Sequence, residues 1–204
     1  RRPPRSTLFP YPTLFRSILM QAFNMVASHD ERFYLLAVGP HSKDENPSLD
    51  EEFLEHVVKE LEGKPASQRF LLPGLIQDRA RLAEVYRASD VFVFPSRNEG
   101  LPSVLLEAMA TGLVPVVSDL PVFQSIIQPD VNGIIVPGED THALAESLLR
   151  VPEDWEMMQR LGKSARESVL DWHSFQAWQA QISRFYQTFP ARAKSIKSGY
   201  DTLT

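Results

Sequence analysis

The stretch from Val91 to Val117 constrains this chain more than any other. Val91-Phe-Val-Phe94 is a short apolar run of β-branched and aromatic residues, which reads as a buried strand. Pro95-Ser96-Arg97-Asn98 breaks the run and leaves Glu99 in the loop at the strand's C-terminal end. Pro102 suits the first turn of a helix, where its missing N–H is not needed, and Gly112 suits the position just past the helix end. Val114–Ser118 then reads as the next strand. Strand, loop, helix, strand is half of a doubly wound α/β domain with a parallel sheet, and such domains bind ligands at the C-terminal edge of their strands.

The loop carries the chemistry. A helix N-terminus attracts phosphate, and the expected donors are the N–H groups of Gly100, Leu101, Ser103 and Val104, because Pro102 has none. Gly100 lets a ligand approach the backbone. Glu99 and Glu107 stand with seven residues between them. A carboxylate repels a phosphate, so both need another task, and sugar hydroxyls offer one because each carboxylate accepts hydrogen bonds from neighbouring hydroxyls. The helix around Glu107 is apolar on nearly every side, and an unpartnered buried charge costs about several kcal/mol. The ordinary alternative is that Glu107 pairs with a core donor while Glu99 is solvated.

These residues resemble the C-terminal donor-binding domain of the GT-B glycosyltransferases, specifically the retaining group 1 (family 4) class. That pattern is Glu-x7-Glu followed by Glu-Ala-Met-Ala-x-Gly-x-Pro-Val-Val. Here Leu113-Val114 stands where one residue is usual, so the turn is expected to be redrawn. Ser17–Val26, Phe33–Gly39, Phe70–Gly74, Ala88–Asp90 and Val131–Gly138 are similar to further segments of the family, a likeness running from about Ile18 to Phe189. The resemblance implies that Glu107 binds the ribose hydroxyls of a nucleotide. It implies that Glu99 holds hydroxyls of the donor sugar near the reacting carbon, and that Gly100-Leu101-Pro102-Ser103 cradles the diphosphate. Ile76, two residues after Gly74, matches a position whose backbone meets the nucleobase. The implied reaction moves a sugar, of the hexosyltransferase type, from a nucleoside-diphosphate sugar to an acceptor hydroxyl. It uses no cofactor and usually no metal. The chain agrees in having no Asp-x-Asp, no His-x-x-x-His and no cysteine. A sugar-nucleotide epimerase of GT-B type, or a binding domain without a reaction, are the other readings.

Residues 1–17 resemble a translated sequencing adapter, with Thr7-Leu-Phe9 echoed by Thr13-Leu-Phe15. They lack the apolar stretch and cleavage site of a signal peptide and are set apart as non-native. Removing their four arginines from the 21 basic residues leaves 17 against 26 acids, a net charge of −9. That argues against a nucleic-acid partner. In the resembling family a strand, an arginine, a lysine and a whole acceptor-binding N-terminal domain come first. The expectations are therefore a truncated fragment without turnover, a gapped sheet for which Pro10 and Pro12 make a poor replacement strand, and a poorly soluble product.

The residue ranges follow from the same reading: a nucleotide-sugar-binding domain over 18–189 and a loose polar tail over 190–204. With 43% apolar residues a real core is affordable, and no apolar run approaches the ~20 residues of a membrane span. The cysteine-free composition fits the cytoplasm, with the inner face of the membrane as a peripheral location for the full-length protein. Helices are expected at 17–28, 49–61 (capped by Ser48 or Asp50), 79–88, 102–111, 121–128, 140–150, 153–169 and 174–188. Strands are expected at 33–38, 69–72, 91–94, 114–118 and 134–136. The last helix spaces Phe175, Trp178, Ile182, Phe185, Tyr186 and Phe189 as an amphipathic stripe, whose first two turns should pack on their own domain. The histidines have no catalytic or metal spacing, and the acidic runs read as solvated turns and helix starts.

Overall fold

The computed structural model describes residues 5–10, 16–40, 55, 59 and 61–188, with side chains from Ile18 onward. In chain order the elements are β1 (Arg5–Pro10), α1 (Arg16–His29), β2 (Phe33–Val38), β3 (Phe70–Gly74), α2 (Arg79–Ala88), β4 (Val91–Phe94) and α3 (Ser103–Thr111). They continue with β5 (Val114–Ser118), α4 (Pro121–Gln124), β6 (Ile134–Val136), α5 (Thr141–Glu153), α6 (Trp155–Trp172) and α7 (Phe175–Thr188). The chain divides into one unit ending at Glu167 and a second starting at Ser168.

The first unit is built on a six-stranded sheet in the order β3-β2-β1-β4-β5-β6, every pair parallel. This is the doubly wound arrangement that the strand–helix alternation predicts. β4 and β5 are buried at every position, as strands covered on both faces must be. β2, nearer an edge, alternates between buried and half-buried residues. Helix α1 packs against α5, and α2 against α3. The α1 face sets Leu19, Phe23, Val26 and Ala27 into a core shared with Phe33, Leu35, Val93, Val116, Leu144 and Leu161. Each large side chain buried there is worth about 1.5–3 kcal/mol.

The structure overturns the expected gap in the sheet, because Arg5–Pro10, within the segment set apart above, forms a strand of it. Arg5–Pro10 is the central strand, in register with β2 from Arg5↔Phe33 to Pro10↔Val38 and with β4 at Thr7↔Val91 and Leu8↔Phe92. Ser6-Thr-Leu-Phe9 is good strand sequence. Pro10 closes the strand, beyond the pairing with β4, where its missing N–H does least harm. Pro12 lies outside the described residues, as do residues 190–204, Phe189, His41, His56, the acidic runs at 44–45 and 50–52, and most of the helix expected at 49–61.

Arg69 is a buried cation that no motif announces. It is 9% exposed in the turn before β3. Its Nη2 donates to Ala27 C=O at 2.7 Å and to Pro65 C=O at 3.0 Å, and its Nη1 donates to Asp30 C=O at 3.0 Å. Ala27 lies in the last turn of α1, where carbonyls lack helical partners and the helix dipole favours a positive charge. Arg69→Ala should destabilise the fold by about 2–4 kcal/mol, since hydrogen bonds to charged groups are worth ~1.5–3 kcal/mol each. Arg69→Lys should not restore it, because one ammonium cannot reproduce the fork. A urea melt of the three proteins checks this; equal midpoints would refute it.

Other boundaries moved for local reasons. Helix α4 stops at Gln124 rather than 128. The side chain of Asn132 accepts the Gln128 N–H at 2.7 Å and donates to Ile126 C=O at 3.1 Å, so it takes the groups another turn would have used. The extra residue after α3 is absorbed by a left-handed Gly112 (φ 88°). Its N–H donates to Met109 C=O at 2.9 Å, and Leu113 N–H donates to Ala108 C=O at 3.3 Å. This is a Schellman turn, and β5 starts directly after it. In the second unit, α7 buries none of its residues. Phe175 and Trp178 touch each other, as do Phe185 and Tyr186.

Candidate functional site

The strand order reverses between β1 and β4, because the chain leaves β1 toward β2 and β3 and returns on the other side to β4. In open α/β sheets the crevice at such a reversal, at the strands' C-terminal ends, is where ligands bind. The loop that follows β4 is the one carrying Glu99.

That loop is anchored at its start. Pro95 is buried and Ser96 half-buried, whereas Arg97, Asn98, Gly100 and Leu101 are exposed. Ser118, 3% exposed at the end of β5, donates its hydroxyl to the Ser96 carbonyl. The Ser96 hydroxyl in turn donates to Glu99 Oε1 at 2.7 Å. Glu99 is half-buried. Arg97 pairs with Glu139, linking this loop to the one after β6. Both partners are exposed, and such pairs contribute little to stability. Asp119 Oδ1 accepts the Gly138 N–H at 2.9 Å, which ties the loop after β5 to the one after β6.

Leu101, 81% exposed, stands at the loop's tip, and Pro102 is the buried residue just before α3. The expected set of backbone donors is reduced by one. Ser103 N–H is spent on Leu101 C=O at 2.8 Å, a tight turn that Pro102 enforces at its centre, so Gly100, Leu101 and Val104 remain of that set. A Cβ on Gly100 would meet nothing within 4 Å. The room beside it is therefore open to a ligand and not taken up by packing.

Glu107 corrects the sequence reading. It is exposed, because α3 packs through Leu105, Ala108 and Met109 and turns residue 107 outward. No burial cost forces it to find a ligand. It does have the core donor that the ordinary alternative asks for: the hydroxyl of Tyr86, on α2, donates to Glu107 Oε2 over a long 3.4 Å. Tyr86 is 5% exposed and packs on Phe92, with ring centroids 6.3 Å apart. Burial holds the Tyr86 phenol above its ordinary pKa of 10.0, and the charge of Glu107 and the bond to it act the same way.

Glu99, Gly100–Ser103 and Glu107 are thus brought together on one loop and the first turns of one helix. Ser103 and Glu107 stand about 6 Å apart along the axis, at ~1.5 Å per residue. Ile76 is on the same edge but on another loop, half-buried after Gly74 (φ 80°). β3 lies three strand positions from β4, roughly 14 Å at ~4.8 Å per strand. A separate cavity of about 800 Å³ lies between α1 and the start of α5, lined by Met20, Gln21, Asn24, Gly138 and Thr141 among others. It includes no residue of the β4–α3 loop. Among the described residues no group of three or more His, Cys, Asp or Glu side chains is placed to hold a metal ion, and no helix is long and apolar enough to cross a membrane. Sequence reasoning missed Tyr86, Ser96 and Ser118. Each is a lone hydroxyl in an apolar or loop setting, and only its partner across the fold gives it a role.

Residues 17–168 match the family described as Glycosyl transferases group 1. The chain belongs to that family. It is 31% identical over 140 residues to the D-inositol 3-phosphate glycosyltransferase of Corynebacterium glutamicum, covering 69% of this chain and 32% of that protein. It is 28% identical over 184 residues to the phosphatidyl-myo-inositol mannosyltransferase of Mycobacterium leprae, covering 89% of this chain and 45% of that one. The chain therefore spans about a third to a half of the length of these relatives. Its fold is similar to the crystal structure of the C-terminal domain of the group 1 family glycosyl transferase LpcC from Francisella tularensis. The TM-score is 0.74 at 18% identity, covering 85% of this chain and 88% of that domain. The fold is thus the Rossmann-like C-terminal half of a GT-B group 1 glycosyltransferase.

Proposed function

We propose that this chain is the donor-binding domain of a retaining glycosyltransferase that takes its sugar from a nucleoside diphosphate. The observation that carries the proposal is the placement of two carboxylates, Glu99 and Glu107, on either side of the open N-terminal loop of α3 at the reversal of the sheet. The helix N-terminus attracts the diphosphate, received by the N–H groups of Gly100, Leu101 and Val104. The carboxylates would repel that group and instead accept hydrogen bonds from hydroxyls at its two ends. Glu107 takes the ribose diol on one side. Glu99 takes the transferred sugar on the other, where it touches the group that reacts. The Ile76 backbone, on the same edge, lies within the reach of a nucleotide whose base extends toward β3. In this reading the α3 terminus and its free N–H groups receive the phosphate charge. The acceptor hydroxyl belongs to the other half of the complete enzyme, and the names of the relatives point to a hexose as the transferred group.

Isothermal calorimetry with UDP-, GDP- and ADP-sugars tests the reading. Binding of one nucleotide class is the expected result and identifies the donor. A folded chain that binds none of them refutes the donor site and favours a domain that kept the fold without the reaction.

A further inference from the structure

We infer that Ser96, itself held by Ser118, is a positioning residue that sets the Glu99 carboxylate for the donor sugar. The inference rests on the donor-site reading above and deepens it. Glu99 is half-buried, with two exposed residues before it and two after it, so a side-chain hydrogen bond is what can hold its carboxylate. The Ser96 hydroxyl supplies that bond. It has one proton and two candidate acceptors, Glu99 Oε1 at 2.7 Å and Asn98 C=O at 3.4 Å. The shorter bond to the charged oxygen is the stronger one. The Ser96 backbone is fixed in turn, since the buried Ser118 hydroxyl at the end of β5 donates to its carbonyl. A chain of hydroxyls thus runs from the neighbouring strand to one oxygen of Glu99. It leaves Oε2, and the second lone pair of Oε1, for sugar hydroxyls. Without it, ordering the Glu99 side chain would be charged against each binding event.

This assigns Ser96 an effect on one part of the ligand only. A nucleoside diphosphate lacks the sugar that Glu99 holds, so its affinity should not depend on Ser96. The test is calorimetry of the full chain with the nucleoside diphosphate and the sugar conjugate of whichever series binds among UDP, GDP and ADP. Ser96→Ala should weaken the conjugate about fivefold, from the lost preorganisation, and leave the diphosphate unchanged. Ser96→Thr, which keeps the hydroxyl, should restore the conjugate's affinity. Ser118→Ala, which keeps the Ser96 hydroxyl but releases its carbonyl, should show the same selective loss. Equal losses for both ligands in the alanine variants would mean a collapsed loop and overturn the inference, as would no loss in either. Glu99→Ala separates this from the donor reading. If it weakens the conjugate and Ser96→Ala does not, only the positioning role fails. If Glu99→Ala leaves the conjugate's affinity intact, or wild type binds no nucleotide, the donor assignment fails and the inference with it.

Discussion

Glu107→Ala should lower nucleoside-diphosphate affinity by about a hundredfold. A carboxylate that accepts from both ribose hydroxyls makes two charged hydrogen bonds, each worth ~1.5–3 kcal/mol, and a loss of ~2.8 kcal/mol is two decades in affinity. The fold should lose about 1 kcal/mol at most, because Glu107 is exposed and the Tyr86 hydroxyl gives up only a long 3.4 Å bond. This combination makes the result readable: binding falls about a hundredfold while the thermal midpoint moves by only a few degrees. A 2′,3′-dideoxy nucleotide supplies the control, since it has no diol to lose and should bind wild type and variant alike. Titration calorimetry with both ligands measures all four affinities. If the ribonucleotide binds the variant as it binds wild type, Glu107 is a solvated residue paired with Tyr86, as its exposure alone allows.

Gly162→Ala should destabilise the protein by about 1–2 kcal/mol or more, against what helix propensity says. Gly162 sits inside α6, where alanine is better than glycine by ~1 kcal/mol. A Cβ there would lie 2.3 Å from the Gly112 carbonyl oxygen and 3.3 Å from its carbon. Those are backbone atoms of the left-handed cap that ends α3, and they cannot swing aside. Overpacking of this kind costs ~1–3 kcal/mol or more, in an interior too close-packed to absorb it, so the clash outweighs the propensity gain. Gly100→Ala is the matched control, with nothing within 4 Å of the added methyl, and should leave stability nearly unchanged. Urea midpoints at constant slope decide it. A Gly162→Ala protein as stable as wild type would mean that α6 shifts away from the Gly112 cap at no cost.

The contrast between these two glycines shows where sequence reading stops. Gly112 was legible, because a glycine after an apolar helix and before a strand is a local pattern with a local cause. Gly162 was not, since what forbids its side chain is a carbonyl fifty residues away. The same division runs through the site. The loop with Glu99, the helix start at Pro102 and Ser103, and the strands on either side could all be placed from turn chemistry and periodicity. The exposure of Glu107 could not, because three neighbouring apolar residues look alike in sequence and only packing chooses which of them face inward. Nor could the hydroxyls of Tyr86, Ser96 and Ser118 be assigned, as each finds its acceptor through the fold.

Read alone, the sequence places the alternation of strands and helices, the ends of the central helix, Glu99 on the loop before it and Glu107 within it, and so the edge of the sheet where a ligand would sit. These follow from interactions within a few residues, which a linear pattern records. Tertiary structure alone decided that Arg5–Pro10 fills the centre of the sheet, that Arg69 clamps the end of α1, and that Glu107 turns outward toward the Tyr86 hydroxyl. Each depends on which distant backbone or side chain completes a hydrogen bond or fills a space, and that is settled only when the chain closes on itself.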